Sequence, residues 1–287
     1  MRIVFGSPPP PLWLKTLAFS IGGMLSAVFA FILFSALSAA FQGGGLSLFG
    51  PVWAPYAEKF GLGPMIHASL LLSASSLCAG WLLSLGCCCL LRGVGPRCFA
   101  RVLMGILRFM TAIPTVVYGF AAVFALVPLI RNALGGSGFC WLAAGTMLAV
   151  QGVPTMALIM DGALRSVEND VFLTAAALGM TPLQTLSRVV IPASRPWLVS
   201  AAVLGFGRAL GDTLLPTMLA GNAVRFALSP LDSMRTLTAH IGLVLSADIG
   251  GGENLSLLLA GGLLLLGSVA VSLLARRVSR GRNDEAA

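Results

Sequence analysis

The chain has 287 residues, 57% of them hydrophobic and only 10% charged, with a mean hydropathy of +0.93 and a formal net charge of +8. A soluble domain carries roughly 25% charged residues, and 18 basic and 10 acidic side chains cannot clothe a core of this size in water. Composition therefore excludes a soluble enzyme, a disordered chain and a secreted disulfide scaffold, and points to an integral membrane protein.

Taken in chain order, the sequence predicts six membrane helices, at 16–41, 66–91, 102–130, 139–160, 197–221 and 255–275. The Pro8–Pro11 run ahead of the first reads as an extended tail. The first block is too long for the apolar region of a signal peptide, roughly 7–15 residues, so it is read as retained despite Ser38-Ala39-Ala40. Pro114 interrupts the third block and Pro154 the fourth, breaks that a helix bundle tolerates. The expected organisation is an N-terminal tail at 1–15, a transmembrane domain at 16–276 containing a long loop at 161–196, and a C-terminal tail at 277–287.

With the N-terminus inside, twelve Arg and Lys fall on cytoplasmic segments. Outside lie four, Lys59, Arg131, Arg225 and Arg235. Both termini are therefore expected in the cytoplasm. The basic balance is assigned to topology and membrane lipid, not to nucleic acid. Cys87, Cys88 and Cys89 point about 100° apart on a helix and cannot converge on a metal; no metal site is expected.

The 161–196 loop carries its own helix punctuation. Asn169 or Asp170 is placed to cap a first helix through Leu178, with Gly179 as a left-handed stop. Thr181-Pro182-Leu183-Gln184 then has the pattern of a capping box, and a second short helix runs on to Pro192. The first helix is unusually apolar. Composition fits two roles for it alike, a docking surface or an interfacial helix lying on lipid headgroups.

Arg208 falls near the middle of the fifth block, where an arginine costs roughly 2.5 kcal/mol or more and must face the bundle interior or a wet cavity. Asp212, four residues on, is placed to pair with it on one helical face. Pro216 cannot donate to the Asp212 carbonyl. A guanidinium fork suits a tetrahedral oxyanion, with Thr213 and Thr217 as additional hydroxyls. Arg108, six residues into the third block, is a second candidate cation; the competing reading is that it reaches to the headgroups. In the outer loop, Ser229-Pro230-Leu231-Asp232 reads as a helix start before an apolar stretch with Thr236, Thr238 and His240.

A nucleotide-binding loop requires Gly-Lys-Ser/Thr. The only lysines, Lys15 and Lys59, come after Leu14 and Glu58, so any ATP must be hydrolysed elsewhere and the chain itself is not expected to be an enzyme.

Ala175, Gly179, Val189, Ile191 and Pro192 resemble the cytoplasmic signature of binding-protein-dependent ABC importer permeases, although Leu173 stands where that signature has Glu and Thr174 where it has its first Ala. Gly207-Arg208-Ala209-Leu210-Gly211-Asp212-Thr213 is similar to a segment of the phosphate importer permeases (the PstC/PstA type), with Asp replacing Glu. Ile113–Gly119 and 231–241 resemble two further segments of the same family, the latter on its PstC-like side.

The resemblance implies an all-α polytopic protein of type I ABC importer (MetI-like) permease fold in a bacterial cytoplasmic (inner) membrane. It implies a substrate pathway at Arg208 and Asp212. It also implies coupling to an ATPase through Val171, Phe172, Ala175, Ala176, Gly179 and Pro192. The implied partners are a second permease subunit, two ATPase subunits holding ATP and magnesium, and a periplasmic or extracellular phosphate-binding protein; this chain is expected to bind no cofactor. Sulfate or molybdate is the alternative cargo. An ATP-independent secondary transporter is the rival class, but it would be favoured by inverted repeats, and none is legible.

Overall fold

The computed structural model describes residues 12–42, 49–246 and 252–285. It is built almost wholly of helices: α1 (Leu12–Gln42), α2 (Gly63–Cys89), α3 (Arg97–Ala112), α4 (Thr115–Phe124), α5 (Leu126–Leu134), α6 (Trp141–Ala177), α7 (Pro182–Thr185), α8 (Ile191–Ala193), α9 (Arg195–Gly211), α10 (Leu214–Leu219), α11 (Leu237–Leu245) and α12 (Gly252–Glu285). A small antiparallel hairpin, β1 (Trp53–Ala54) and β2 (Lys59–Phe60), precedes α2. The sequence does not announce it, because two-residue strands carry no alternation to read.

Five stretches among the described residues are long and apolar enough to cross a membrane: Leu12–Phe41, Gly63–Arg92, Thr115–Leu134, Trp141–Asn169 and Asn254–Arg277. A sixth arises if the helices Pro182–Ala193 and Arg195–Gly211, bent by 68°, are joined. The expected tail at 1–15 is shortened, since α1 already begins at Leu12, and α12 extends through most of the expected C-terminal tail. The Pro8–Pro11 run lies outside the described residues.

α6 is the central mast. Its main partner is α2, through a seam of small side chains on one face: Ser73, Ser76, Gly80, Ser84 and Cys88 are all buried. Lipid supplies no hydrophobic drive between helices, so close backbone approach and hydrogen bonds must hold them. Ser84 Oγ lies 2.6 Å from the Gly80 carbonyl and 3.2 Å from that of Val153, and Cys88 Sγ reaches the Ala157 carbonyl at 3.4 Å. Trp81 Nε1 donates to the Leu198 carbonyl at 3.1 Å, tying α2 to α9. Gly205 lets α9 approach α6, since a Cβ there would collide with the Met156 sulfur.

Several expectations are corrected. The third span does not extend from 102 to 130. The chain is extended at Ile113 and Pro114, which separates the arginine-bearing α3 from a span that starts at Thr115; a residue before proline is driven out of the helical region. The fourth span does not stop at Met160, nor does a new helix start at Asn169 or Asp170. α6 runs unbroken for 37 residues, because nothing between Thr155 and Leu178 compels a break. The fifth span is likewise divided, α9 ending at Gly211 and α10 beginning at Leu214.

At the other end of α6, Ser229–Asp232 forms a turn rather than a helix start. Asp232 Oδ2 accepts the N–H groups of Leu228 (2.9 Å) and Ser229 (2.8 Å). These amides hold its carboxyl below the usual carboxylate range, Ser229 most, with Arg225 adding to the effect. The turn offers the carbonyls of Pro230 and Asp232 to the N–H groups of Leu142 (2.8 Å) and Trp141 (2.9 Å), satisfying donors at the α6 N-terminus.

Candidate functional site

Arg208 sits in the last turn of α9 and is exposed to two hollows. On one flank is a cavity of about 630 Å³ between α1, α9, α11 and α12; its polar side chains are Arg208, Thr213, Thr238, Ser268 and Ser272. On the other is a narrow crevice lined by Ser76, Gln151, Gly152 and Met156. Gln151 Nε2 donates to Thr115 Oγ1 at 2.7 Å, fixing that wall. Tyr118 is within electrostatic reach of Arg208.

The expected ion pair is not formed. α9 unwinds at Asp212, whose backbone is extended (φ −73°, ψ 129°), so the side chain no longer shares a helical face with Arg208. Its Oδ1 instead accepts the Leu215 N–H at 3.0 Å and caps α10. Arg208 has no hydrogen-bond or ion-pair partner among the described residues. The cavity therefore presents an uncompensated cation. Asp212 serves as a helix cap and lines neither hollow.

At each break a hydroxyl reaches a backbone carbonyl. Pro114 has no N–H to give, and Tyr118 OH donates to the Met110 carbonyl at 2.9 Å, beside the Ile113 N–H at 3.4 Å. Thr238 Oγ1 donates at 2.8 Å to the carbonyl of Asp212, which the extended backbone there takes out of the helix. Thr238 spends its only proton on Asp212, so Thr236 must donate across the 3.0 Å contact between their hydroxyls. Thr236 Oγ1 in turn accepts the Ala239 N–H at 3.2 Å, and Ser69 Oγ accepts the Leu237 N–H at 2.8 Å. α11 is thus capped at Thr236 and locked to the break in span five. Thr213 lines the cavity with Arg208, whereas the Thr217 hydroxyl turns back to the Thr213 carbonyl at 2.6 Å.

Arg108 is not part of this site. It lies on the exposed side of α3 and lines neither hollow. Ser268 and Ser272, one turn apart on α12, were not legible as cavity residues, since nothing local distinguishes them from other serines in apolar helices.

The 161–196 segment forms a helical hairpin. α6 ends in a left-handed Gly179 (φ +69°), with Gly179 N–H bonded to the Ala176 carbonyl (3.0 Å) and Met180 N–H to that of Ala175 (3.1 Å). The capping box is present: Gln184 N–H to Thr181 Oγ1 at 3.3 Å and Thr181 N–H to Gln184 Oε1 at 2.9 Å. The candidate residues divide by face. Ala175 is buried and Val171 packs on the core around Met160 and Leu164. Pro192 is half-buried, and Ala176 and Gly179 are exposed. The Phe172 side chain lies outside the described residues. Leu173, 80% exposed, Leu178, 75%, and Leu183, 53%, make up the apolar tip.

Comparison with known proteins places this geometry. The chain is 33% identical over 226 residues to the probable ABC transporter permease protein YqgH of Bacillus subtilis, covering 78% of this chain and 73% of that one. It is 29% identical over 287 residues to the phosphate transport system permease protein PstC of Xylella fastidiosa, covering 88% and 87%. Its fold is similar to a chain of the MetNI methionine ABC transporter in an inward-facing conformation, with a TM-score of 0.57 at 22% identity, covering 79% of this chain and 99% of that one. Residues 93–284 match the family described as binding-protein-dependent transport system inner membrane component, and the chain belongs to that family.

Proposed function

We infer that the chain is a membrane-spanning permease subunit of an ATP-driven importer that carries inorganic phosphate across the bacterial cytoplasmic membrane. The observation that carries the reading is Arg208, a cation without a carboxylate, facing an open cavity of about 630 Å³ between α1, α9, α11 and α12. An arginine so placed is tolerated where water or an anion reaches it. Its planar fork matches a tetrahedral oxyanion, and Thr213, Ser268 and Ser272 add hydroxyls on the same cavity. Because Asp212 is occupied in capping α10, the empty station keeps its positive charge and the anion neutralises it. The PstC proteins among its relatives support phosphate as the cargo.

A second permease subunit completes the path, and two ATPase subunits holding ATP and magnesium dock on the tips at Leu173, Leu178 and Leu183. A phosphate-binding protein delivers the anion to the opposite end, at the β1–β2 strands. The Arg92 end faces the cytoplasm with both termini, in keeping with its arginine excess. ATP-driven closure of the ATPases moves the docking hairpin. Since α6 is continuous from that hairpin to the wall at Gln151, the motion reaches the pore directly.

The test is to purify the chain with its natural companions, reconstitute the complex in liposomes and measure ATP-dependent uptake of phosphate, sulfate and molybdate. Phosphate is expected to be taken up and to stimulate ATP hydrolysis. Stimulation by sulfate or molybdate alone, or uptake without ATP, would overturn the reading.

A further inference from the structure

A charged cluster at the foot of α6 has no part in the anion station. Arg92, carried on a π-helical turn at Leu90–Val94 directly after α2, reaches α6 at three points. Its Nη2 lies 2.7 Å from Asp161 Oδ1 and 3.0 Å from the Asp161 carbonyl, and its Nη1 lies 2.6 Å from Glu168 Oε2. The Arg92 and Asp161 side chains retain only 12% and 14% of their exposure, and Glu168 31%. Asp161 and Glu168 are two turns apart on the same helix face, so one guanidinium grips α6 at two heights.

The grip stands between the docking hairpin and the anion station. α6 is one rod of about 55 Å at 1.5 Å per residue. Its far end lines the crevice beside Arg208 at Gln151, and α2 lines the same crevice at Ser76. Any swing of the hairpin relative to α2 must therefore stretch or break the Arg92 contacts. A cavity of about 380 Å³ beside them, lined by Leu91, Arg92, Ala100, Met104, Asp161, Arg165 and Glu168, gives room for the change. Arg165 lies four residues after Asp161 and three before Glu168, both spacings that allow pairing on one helix. It has no ion pair among the described residues.

We propose that Arg92, Asp161 and Glu168 are positioning residues forming a releasable ion-pair clamp between spans two and four, and that Arg165 takes over the two carboxylates when the clamp opens. Two arrangements of one charge set make the joint bistable. Neither half-buried carboxylate is left without a cation, which lowers the cost of parting from Arg92. The clamp links ATP-driven movement of the hairpin to the pore, and it rests on the reading of the chain as a permease driven by an ATPase partner.

The experiment uses the full complex in liposomes and measures ATP hydrolysed per phosphate taken up. Arg92→Gln is expected to raise that ratio about fivefold or more, within the usual range of coupling between sites. Glu168→Gln, at a more exposed position, should raise it less and keeps the test available if Arg92→Gln assembles poorly. The charge exchange Arg92→Asp with Asp161→Arg should bring the ratio back toward that of the unmutated complex, which a purely structural loss would not do. Arg165→Ala should slow turnover at an unchanged ratio, because the open state loses its cation. Unchanged ratios in Arg92→Gln and Glu168→Gln, or unchanged turnover in Arg165→Ala, would overturn the clamp. Uptake by the unmutated complex reports separately on the cargo and on the ATPase partner.

Discussion

The Thr238 hydroxyl donates at 2.8 Å to the carbonyl of Asp212, which the extended backbone there takes out of the helix. This bond joins α11 to the break in span five, next to the wall of the Arg208 cavity and four residues from Arg208. Replacing Thr238 by Val keeps the shape and removes the donor, leaving a partly buried carbonyl unsatisfied. The expected loss is about 1–3 kcal/mol, read as a lowered unfolding temperature of the purified protein. Uptake should fall as well, since the position of Arg208 depends on that break.

Arg208→Ala should reduce phosphate uptake roughly ten- to a hundredfold, as expected for loss of charge-assisted hydrogen bonds worth about 1.5–3 kcal/mol. Assembly with the ATPase should be intact, because Arg208 touches no docking residue. Arg208→Lys should recover part of the activity by restoring the charge without the fork. Uptake at the unmutated rate in Arg208→Ala would remove the assigned role.

Gly179→Val tests the hairpin. A Cβ at Gly179 would meet no atom within 4 Å, so the effect arises from its φ of +69° alone. A left-handed residue costs an L side chain roughly 1–2 kcal/mol, more for a β-branched one. The expected result is ATP hydrolysis that continues while phosphate uptake falls, measured in the same vesicles.

Leu178→Asp should weaken capture of the ATPase by the permease. Leu178 is 75% exposed at a tip with no charged residue between Asp170 and Arg188. A carboxylate buried against an apolar groove has no partner and loses its hydration. Co-purification of the ATPase with the variant should drop, and the unfolding temperature of the isolated permease should stay close to the original, as expected of an exposed position.

His240 sets a pH dependence. Its ring is fully buried against Trp53, at 4.4 Å between centroids, with Nδ1 unpartnered. Burial, reinforced by the charge of Arg235, pushes its pKa down to about 4 from the ordinary 6.5. About a unit above the ordinary 6.5 both folded and unfolded states are neutral there and the group contributes no slope. Between about 6.5 and 4 the unfolded state takes up the proton first, so stability falls with falling pH, by on the order of 3 kcal/mol at the limit. Thermal unfolding at about pH 7.5, 6 and 5 should show the decline, and His240→Leu should flatten it.

Features that rest on composition and on short-range rules are legible from the residues alone. The six apolar blocks, the left-handed Gly179, the capping box at Thr181 and the placement of Arg208 within an apolar block are all local statements. They depend on span length, on backbone sterics or on the transfer of charge, and residues within one helical turn decide them. The family signature is also local, a spacing of Gly179 and Pro192 on one hairpin.

Tertiary structure decided wherever two competing local rules had to be arbitrated by distant atoms. Asn169 and Asp170 are good caps, yet α6 passes through them, and the turns beyond pack Val171 and the buried Ala175 back on the bundle. Arg208 and Asp212 are well spaced for an ion pair, yet the helix opens between them because Thr238 satisfies the carbonyl that opening exposes. Ser268 and Ser272 joined the anion cavity only through the packing of α12 against α9. A broken helix is stable when some other part of the chain supplies the missing hydrogen bond, and which part does so is set by how the spans assemble.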